Sequence, residues 1–184
     1  MGPSPIHPDL RPHFIPLDIC RYNDYIIRMG RRLIEEIKQT KPFSCREEAA
    51  FLNLQRTADA FLRVFEAALK PFGLTHTQYN VLRILRGAGP GGLLCREVAE
   101  RMITRDPDIT RLIDRLEARG LVTRSRDTKD RRVILTRITD EGLRLLKELD
   151  EPVLEFHRRG LAHLGRKQVQ HLIDLLEAAR AGSG

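Results

Sequence analysis

A chain of 184 residues, 41% hydrophobic and 31% charged, holds enough apolar material for one core with extensions, which excludes wholesale disorder. No run approaches the roughly 18 apolar residues of a membrane span, and the N-terminus lacks the apolar stretch of a signal peptide. Cys20, Cys45 and Cys95, odd in number and widely spaced, make neither a disulfide framework nor a zinc knuckle. A soluble protein of a reducing compartment, the cytoplasm, with no membrane partner, is expected.

The formal charge of +7 invites a polyanionic partner, and its location says more than its size. Residues 101–137 hold eleven Lys and Arg against six acids, whereas the rest of the chain carries 21 basic and 19 acidic groups. A basic excess confined to one fifth of the chain is the electrostatic footprint of a nucleic-acid interface, although arginine-rich stretches also serve as plain solvated surface.

In chain order, five of the ten prolines fall within the first sixteen residues, so residues 1–20 read as an extended arm. Asp24 to Lys38 turns helical, with Ile26, Ile27, Leu33, Ile34 and Ile37 among charges, and Lys41-Pro42 ends it. Ser44 and Glu47 form a capping box opening a long helix to about Lys70, with Leu54, Ala58, Phe61, Leu62, Phe65 and Leu69 on one face. Thr75 and Gln78 form a second box, ahead of a helix that turns Tyr79, Leu82 and Leu85 inward and stops at Gly87. The glycine-rich run 87–92 reads as a flexible connector; it lacks the Gly-Lys-Ser/Thr ending of a phosphate-cradling loop.

Leu94, Val98 and Met102 mark a short helix. After a tight turn, Asp106-Pro107 supplies a cap and a first-turn proline for a helix to about Arg119, with Ile109, Leu112, Ile113 and Leu116 at i, i+3, i+4, i+7 and Gly120 as its stop. Two short helices across a turn make a helix-turn-helix. The period then changes to two: 121–126 and 132–138 read as strands around the polar turn 127–131, and a hairpin behind a helix-turn-helix is a winged helix. Thr139 or Asp140 caps a long helix with Leu143, Leu146, Leu149, Val153 and Phe156 inward, kinked or interrupted at Pro152. A last helix, about 166–179, buries Val169, Leu172, Ile173 and Leu176. Within the small winged domain nothing is left to cover that helix, which calls for a second copy of the chain.

With its apolar stripe buried, the second helix of the motif shows Thr110, Arg111, Asp114, Arg115 and Arg119 to solvent. In a major groove such side chains face base edges, and arginine can pair bidentately with guanine; for Asp114 an ion pair to a neighbouring arginine is the favoured reading. Asp106 and Asp108 suit the helix dipole but repel phosphate. No nucleophile–base pair, paired carboxylates or cofactor fingerprint stands in a plausible context, so neither an enzyme nor a bound cofactor is expected. His157, His163 and His171 lack the i, i+4 spacing of a metal pair, and no metal site is expected. The alternative to DNA binding is a winged helix used for protein–protein assembly, its basic face merely surface.

The run from Ile109 to Val122, then 127–132 (Asp-Thr-Lys-Asp-Arg-Arg) and 135–142 (Leu-Thr-Arg-Ile-Thr-Asp-Glu-Gly), closely resembles the multiple-antibiotic-resistance regulator (MarR) family of bacterial transcription factors, and a looser resemblance runs from about Glu47 to about Ala179. It implies a mainly α fold with a small β-hairpin wing: a winged helix-turn-helix over about 74–138, dimerisation helices at about 46–70 and 140–180 in a domain spanning 44–184, and residues 1–43 as an extension outside it. It further implies a homodimeric repressor on a pseudo-palindromic operator of double-stranded DNA, responsive to a small-molecule effector between the dimerisation helices and the winged domain. Thr110, Arg111, Arg115 and Arg119 on the helix, with Lys129, Asp130, Arg131 and Arg132 on the wing, are then the DNA-binding set. Arg132 matches the family's minor-groove arginine and Asp130 the acid that holds the turn. The peroxide-sensing cysteine of some relatives falls near Phe51 here, so Cys45, six residues earlier, does not inherit that role. His76 sits near the implied crevice, but a solvent-facing cap position is the simpler reading.

Overall fold

The structure, a computed structural model, describes residues 31–104, 108–127 and 130–182. The described residues fall into two compact units, divided after Ala58.

In the first unit, α1 (Arg31–Glu36) and the opening of α2 (Arg46–Leu69) enclose a small core of Leu33, Phe43 and Ala49, flanked by Ile34 and Leu52. The predicted helix from Asp24 is therefore seen only from Arg31, and the proline-rich arm lies outside the described residues. The helix ends earlier than expected, and Lys38 turns left-handed with φ of 54°. In place of the expected box of Ser44 and Glu47, Cys45 and Glu48 hold the start of α2. Cys45, directly ahead of the helix, accepts the Glu48 N–H on Sγ at 3.4 Å, and the Glu48 carboxylate accepts the Ser44 N–H at 2.6 Å. Glu48, not Glu47, stands three residues beyond the cap.

In the second unit, Thr75 and Gln78 form the expected box ahead of α3 (His76–Ala88): Thr75 Oγ1 accepts the Gln78 N–H and Gln78 Oε1 accepts the Thr75 N–H. Tyr79, Leu82 and Leu85 turn inward as expected, joined by Val81. The helix passes Gly87 and ends before Gly89. The expected connector is in fact fastened to the wing. Beyond a 3₁₀ turn at Gly89–Gly91, the Leu93 N–H donates to the Thr136 carbonyl at 3.0 Å and the Thr136 N–H donates back at 2.8 Å. Gly92 makes this approach possible, since its φ is +73° and a Cβ would lie 2.7 Å from the Thr136 carbonyl oxygen.

Short α4 (Cys95–Arg101) precedes α5 (Ile109–Ala118). The capping residue of α5 is Asp108, whose carboxylate accepts the Arg111 N–H at 3.3 Å; the expected cap, Asp106-Pro107, lies outside the described residues. Leu112, Ile113 and Leu116 are buried and Ile109 is half-buried, following the predicted stripe. Strands β1 (Val122–Arg126) and β2 (Ile134–Ile138) pair antiparallel, with Val122 opposite Ile138 and Arg126 opposite Ile134.

Thr139 caps α6 (Asp140–Leu161), which runs unbroken through Pro152. A Cβ at Gly142 would sit 2.4 Å from the Leu121 carbonyl oxygen, so only glycine lets α6 start this close to the hairpin. Its buried line is Gly142, Leu146, Leu149 and Val153, spaced i, i+4, i+7, i+11. Leu143, one residue and about 100° round from Gly142, is turned outward at 39% exposure, and Phe156 is only half-buried, in contrast to the inward placement expected for both. The core joins this line to Leu69, Leu82, Leu85, Val98, Leu116 and Val122.

α7 (Arg166–Ala181) buries no residue. The expected burial of Val169, Leu172, Ile173 and Leu176 does not occur within the chain: Ile173 is 43% exposed and its neighbour Leu175 54%. Among the described residues, nothing covers this face. Among the described residues, no helix is long and apolar enough to cross a membrane.

Candidate nucleic-acid interface and crevice

The burial of Leu112, Ile113 and Leu116 leaves Thr110, Arg111, Asp114 and Arg115 of α5 exposed. Arg111 bridges back to Asp108 through Nε at 3.1 Å yet remains largely solvent-accessible. Asp114 has the arginine partner expected of it, Arg124 of β1, at 2.7 Å. Arg124 also donates from its backbone and from Nε to Glu117, at 3.0 and 2.9 Å, and these bonds hold the Glu117 carboxyl below its ordinary pKa. Two acids on α5 are thus neutralised by one strand arginine.

The arginines predicted to meet DNA divide by what their guanidinium groups already hold. Arg119 donates to the Gly73 carbonyl at 2.6 Å and the Phe72 carbonyl at 3.1 Å, so it ties the end of α5 to the turn before α3. Arg115 and Arg131 are exposed and engage no ion pair among the described residues. On the wing, Asp130 Oδ1 accepts the backbone N–H of Arg132 at 3.0 Å and its Nε–H at 3.4 Å, and the Arg132 side chain is 93% exposed. The acid therefore sets the direction of the base in the free protein. Lys129 lies outside the described residues. Arg137, outside the predicted set, is turned inward: it donates to the Pro90 carbonyl at 3.0 Å and to Ser125 Oγ, adding to the link between connector and wing.

Behind this surface the second unit encloses a crevice of about 480 Å³. Its walls come from three helices, each offering one face: Leu62 and Phe65 of α2; His76, Tyr79, Asn80 and Arg83 of α3; Asp150, Val153, Leu154 and His157 of α6. Ile103 and Thr104 close one end. The spacing i, i+3, i+4, i+7 on α3 and again on α6 is that of one helical stripe. Phe65 anchors the wall, edge-on to Tyr79 at 5.5 Å and stacked on Phe156 at 5.0 Å, and burial pushes the Tyr79 hydroxyl above its ordinary pKa. His76 is not the solvent-facing cap residue expected: its Nδ1 lies 2.7 Å from Glu66 Oε1, and the ring lines the crevice. Cys45 and Cys95 carry free thiols. Among the described residues, no three metal-ligating side chains gather.

A model of the MarR family matches residues 74–134. The HTH-type transcriptional repressor IacR of Pseudomonas putida is 30% identical over 132 residues, covering 72% of this chain and 78% of that protein. A MarR transcription factor from Planctomyces limnophilus is similar in structure, with a TM-score of 0.57 at 44% identity, over 75% of this chain and 99% of its own. CouR from Rhodococcus jostii, solved with p-coumaroyl-CoA bound, is similar with a TM-score of 0.63 at 31% identity, over 74% and 95%.

Proposed function

The chain belongs to the MarR family of DNA-binding transcription regulators, which are not enzymes, and from this we propose that it acts in the cytoplasm as a homodimeric repressor on a pseudo-palindromic operator, released or reinforced by a small molecule held in the crevice. The observation that carries the DNA-binding part is the wing: an almost fully exposed arginine, Arg132, aimed by a carboxylate two residues earlier. A guanidinium so placed suits a narrow, A·T-rich minor groove. On α5, Thr110, Arg111 and Arg115 face the bases, and Lys129 and Arg131 add phosphate contacts beside the wing. Arg119 is assigned to packing rather than to DNA, because Nη1 and Nη2 each donate to a backbone carbonyl, of Gly73 and Phe72.

A second copy would cover the apolar residues exposed among the described ones, including Ile173 and Leu175 of α7 and Phe51, Leu54 and Val64 of α2, and this supports the dimer. The crevice, largely apolar and carrying Arg83, Asp150 and two histidines, suits a flat, largely apolar acid; CouR, solved with p-coumaroyl-CoA, supports an aromatic ligand.

The test is operator binding with the DNA flanking the protein's own gene. If the dimer neutralises about 6–10 phosphates, log K against log salt slopes at about −5 to −9. Arg111→Ala costs about 1–3 kcal/mol on the preferred site and less on random DNA. A flat salt dependence removes the proposed interface, and equal losses on both DNAs reduce Arg111 to a phosphate contact.

A further inference from the structure

Asn80 lies on the crevice stripe of α3 and is only 6% exposed. Its Oδ1 accepts the backbone N–H of Ile103 at 3.0 Å. Ile103 directly follows Met102, the residue that ends α4, and so belongs to the turn that leads into α5. Because the amide oxygen of Asn80 can accept a backbone N–H and its NH₂ cannot, this bond fixes which way the amide lies. Nδ2 is left buried and without a hydrogen-bond partner among the described residues. A buried amide with its acceptor used and both donors idle is unfavourable unless something supplies an acceptor. The crevice that Asn80 lines, together with Ile103 and Thr104, is the place from which an acceptor can come.

We infer that Asn80 is the positioning residue through which the occupant of the crevice is read by the helix-turn-helix. An acceptor oxygen of the ligand, a carboxylate or carbonyl, takes the idle Nδ2–H, while the other end of the same amide grips the turn ahead of α5. The two bonds share one planar group, so filling the first fixes the rotamer and polarises the second. Occupancy thereby restrains the backbone at Ile103, and with it the N-terminal end of the helix offered to DNA. The ligand class follows from the same geometry: an apolar body against Phe65, Tyr79 and Val153, with an acceptor at the Asn80 end and Arg83 on the same stripe to favour an anion, the Asp150 carboxylate that also lines the crevice being paired with Arg86 at 2.8 Å. This rests on the proposal that the crevice holds an effector.

The experiment is a titration of the full-length, ¹⁵N-labelled protein with 4-hydroxybenzoate, an aromatic carboxylate, followed by NMR. Expected are a shift of the Asn80 side-chain NH₂ signals and slowing of Ile103 amide exchange by about tenfold or more, both in the parent protein. Asn80→Asp keeps an acceptor for Ile103 but replaces the donor, and it binds the probe about tenfold more weakly, the loss of one hydrogen bond to a charged group. Asn80→Leu loses both bonds, and its Ile103 amide exchanges quickly with or without probe. If crevice signals such as Tyr79 and Val153 move while Asn80 and Ile103 do not, or if a folded Asn80→Asp binds as the parent does, the role of Asn80 is overturned and the crevice reading survives. If no crevice signal moves at millimolar probe, both are overturned. The parent readout needs no variant, so a misfolded substitution does not decide the matter.

Discussion

The helix α5 and the C-terminal helix α7 carry the same apolar pattern and meet opposite fates. Ile109, Leu112, Ile113 and Leu116 repeat at i, i+3, i+4, i+7, and so do Val169, Leu172, Ile173 and Leu176. In α5, three of the four are buried; in α7, none is. Periodicity states which face of a helix must be covered, but not whether its own chain supplies the cover. For α5 the hairpin, α3 and α4 do so; for α7 no described element does, and the proposed dimer is what would cover it.

The sharpest way to break this comparison is to empty one side of it. Leu116→Ala removes a side chain with no exposed surface, and about 2–5 kcal/mol of unfolding free energy goes with it, measured by denaturant titration. A cost below about 1 kcal/mol means that α5 is not held from within. On the other side, the double substitution Ile173→Glu with Leu175→Glu leaves the folding of the winged unit nearly unchanged but abolishes association. Light scattering at micromolar concentration then reads a monomer, and operator affinity falls at least tenfold with the loss of two-headed binding. A variant that stays dimeric shows that α7 is not the contact.

The smallest effect sharpens the contrast between surfaces that bind and surfaces that pack. Asp130→Ala removes a negative charge near DNA, which on charge alone tightens binding. Because it also frees Arg132, binding is expected to weaken by about 0.5–1.5 kcal/mol, with folding and association unaltered. In an Arg132→Ala background the loss disappears. Equal or tighter binding by Asp130→Ala removes the aiming role.

What could be read in advance was what depends on neighbours along the chain. The box of Thr75 and Gln78, the cap at Thr139, the hairpin and the stripe of α5 all rest on residues within a turn or two of one another. The partner of Asp114 was also foreseeable, since the strand that follows α5 is rich in arginine. The surprises come from pairs far apart in sequence. Arg119, one more cation beside a DNA-facing helix, also reaches back to the Phe72 and Gly73 carbonyls. His76 occupies a cap position and still turns to Glu66 on another helix. Asn80 reads as a polar residue out of place in an inward-facing run; the spacing of His76, Tyr79, Asn80 and Arg83 was the available signal of a second, mixed face on α3. The cap at Cys45 is of a different kind: two adjacent acids, Glu47 and Glu48, stand within reach of the helix start, and only the first turn of the helix chooses between them.

Gly142 bears on how sequence variants of such a protein are to be interpreted. In a saturation screen scored by reporter output, every substitution there would drive a side chain into the Leu121 carbonyl oxygen, 2.4 Å from its first carbon, and so lose activity as completely as an operator-contact variant. Position 142 would rank beside the arginines of the reading surface while touching no base or phosphate. Abundance of folded protein, scored in parallel with output, separates the two groups: the glycine loses both, whereas a true contact residue loses output alone.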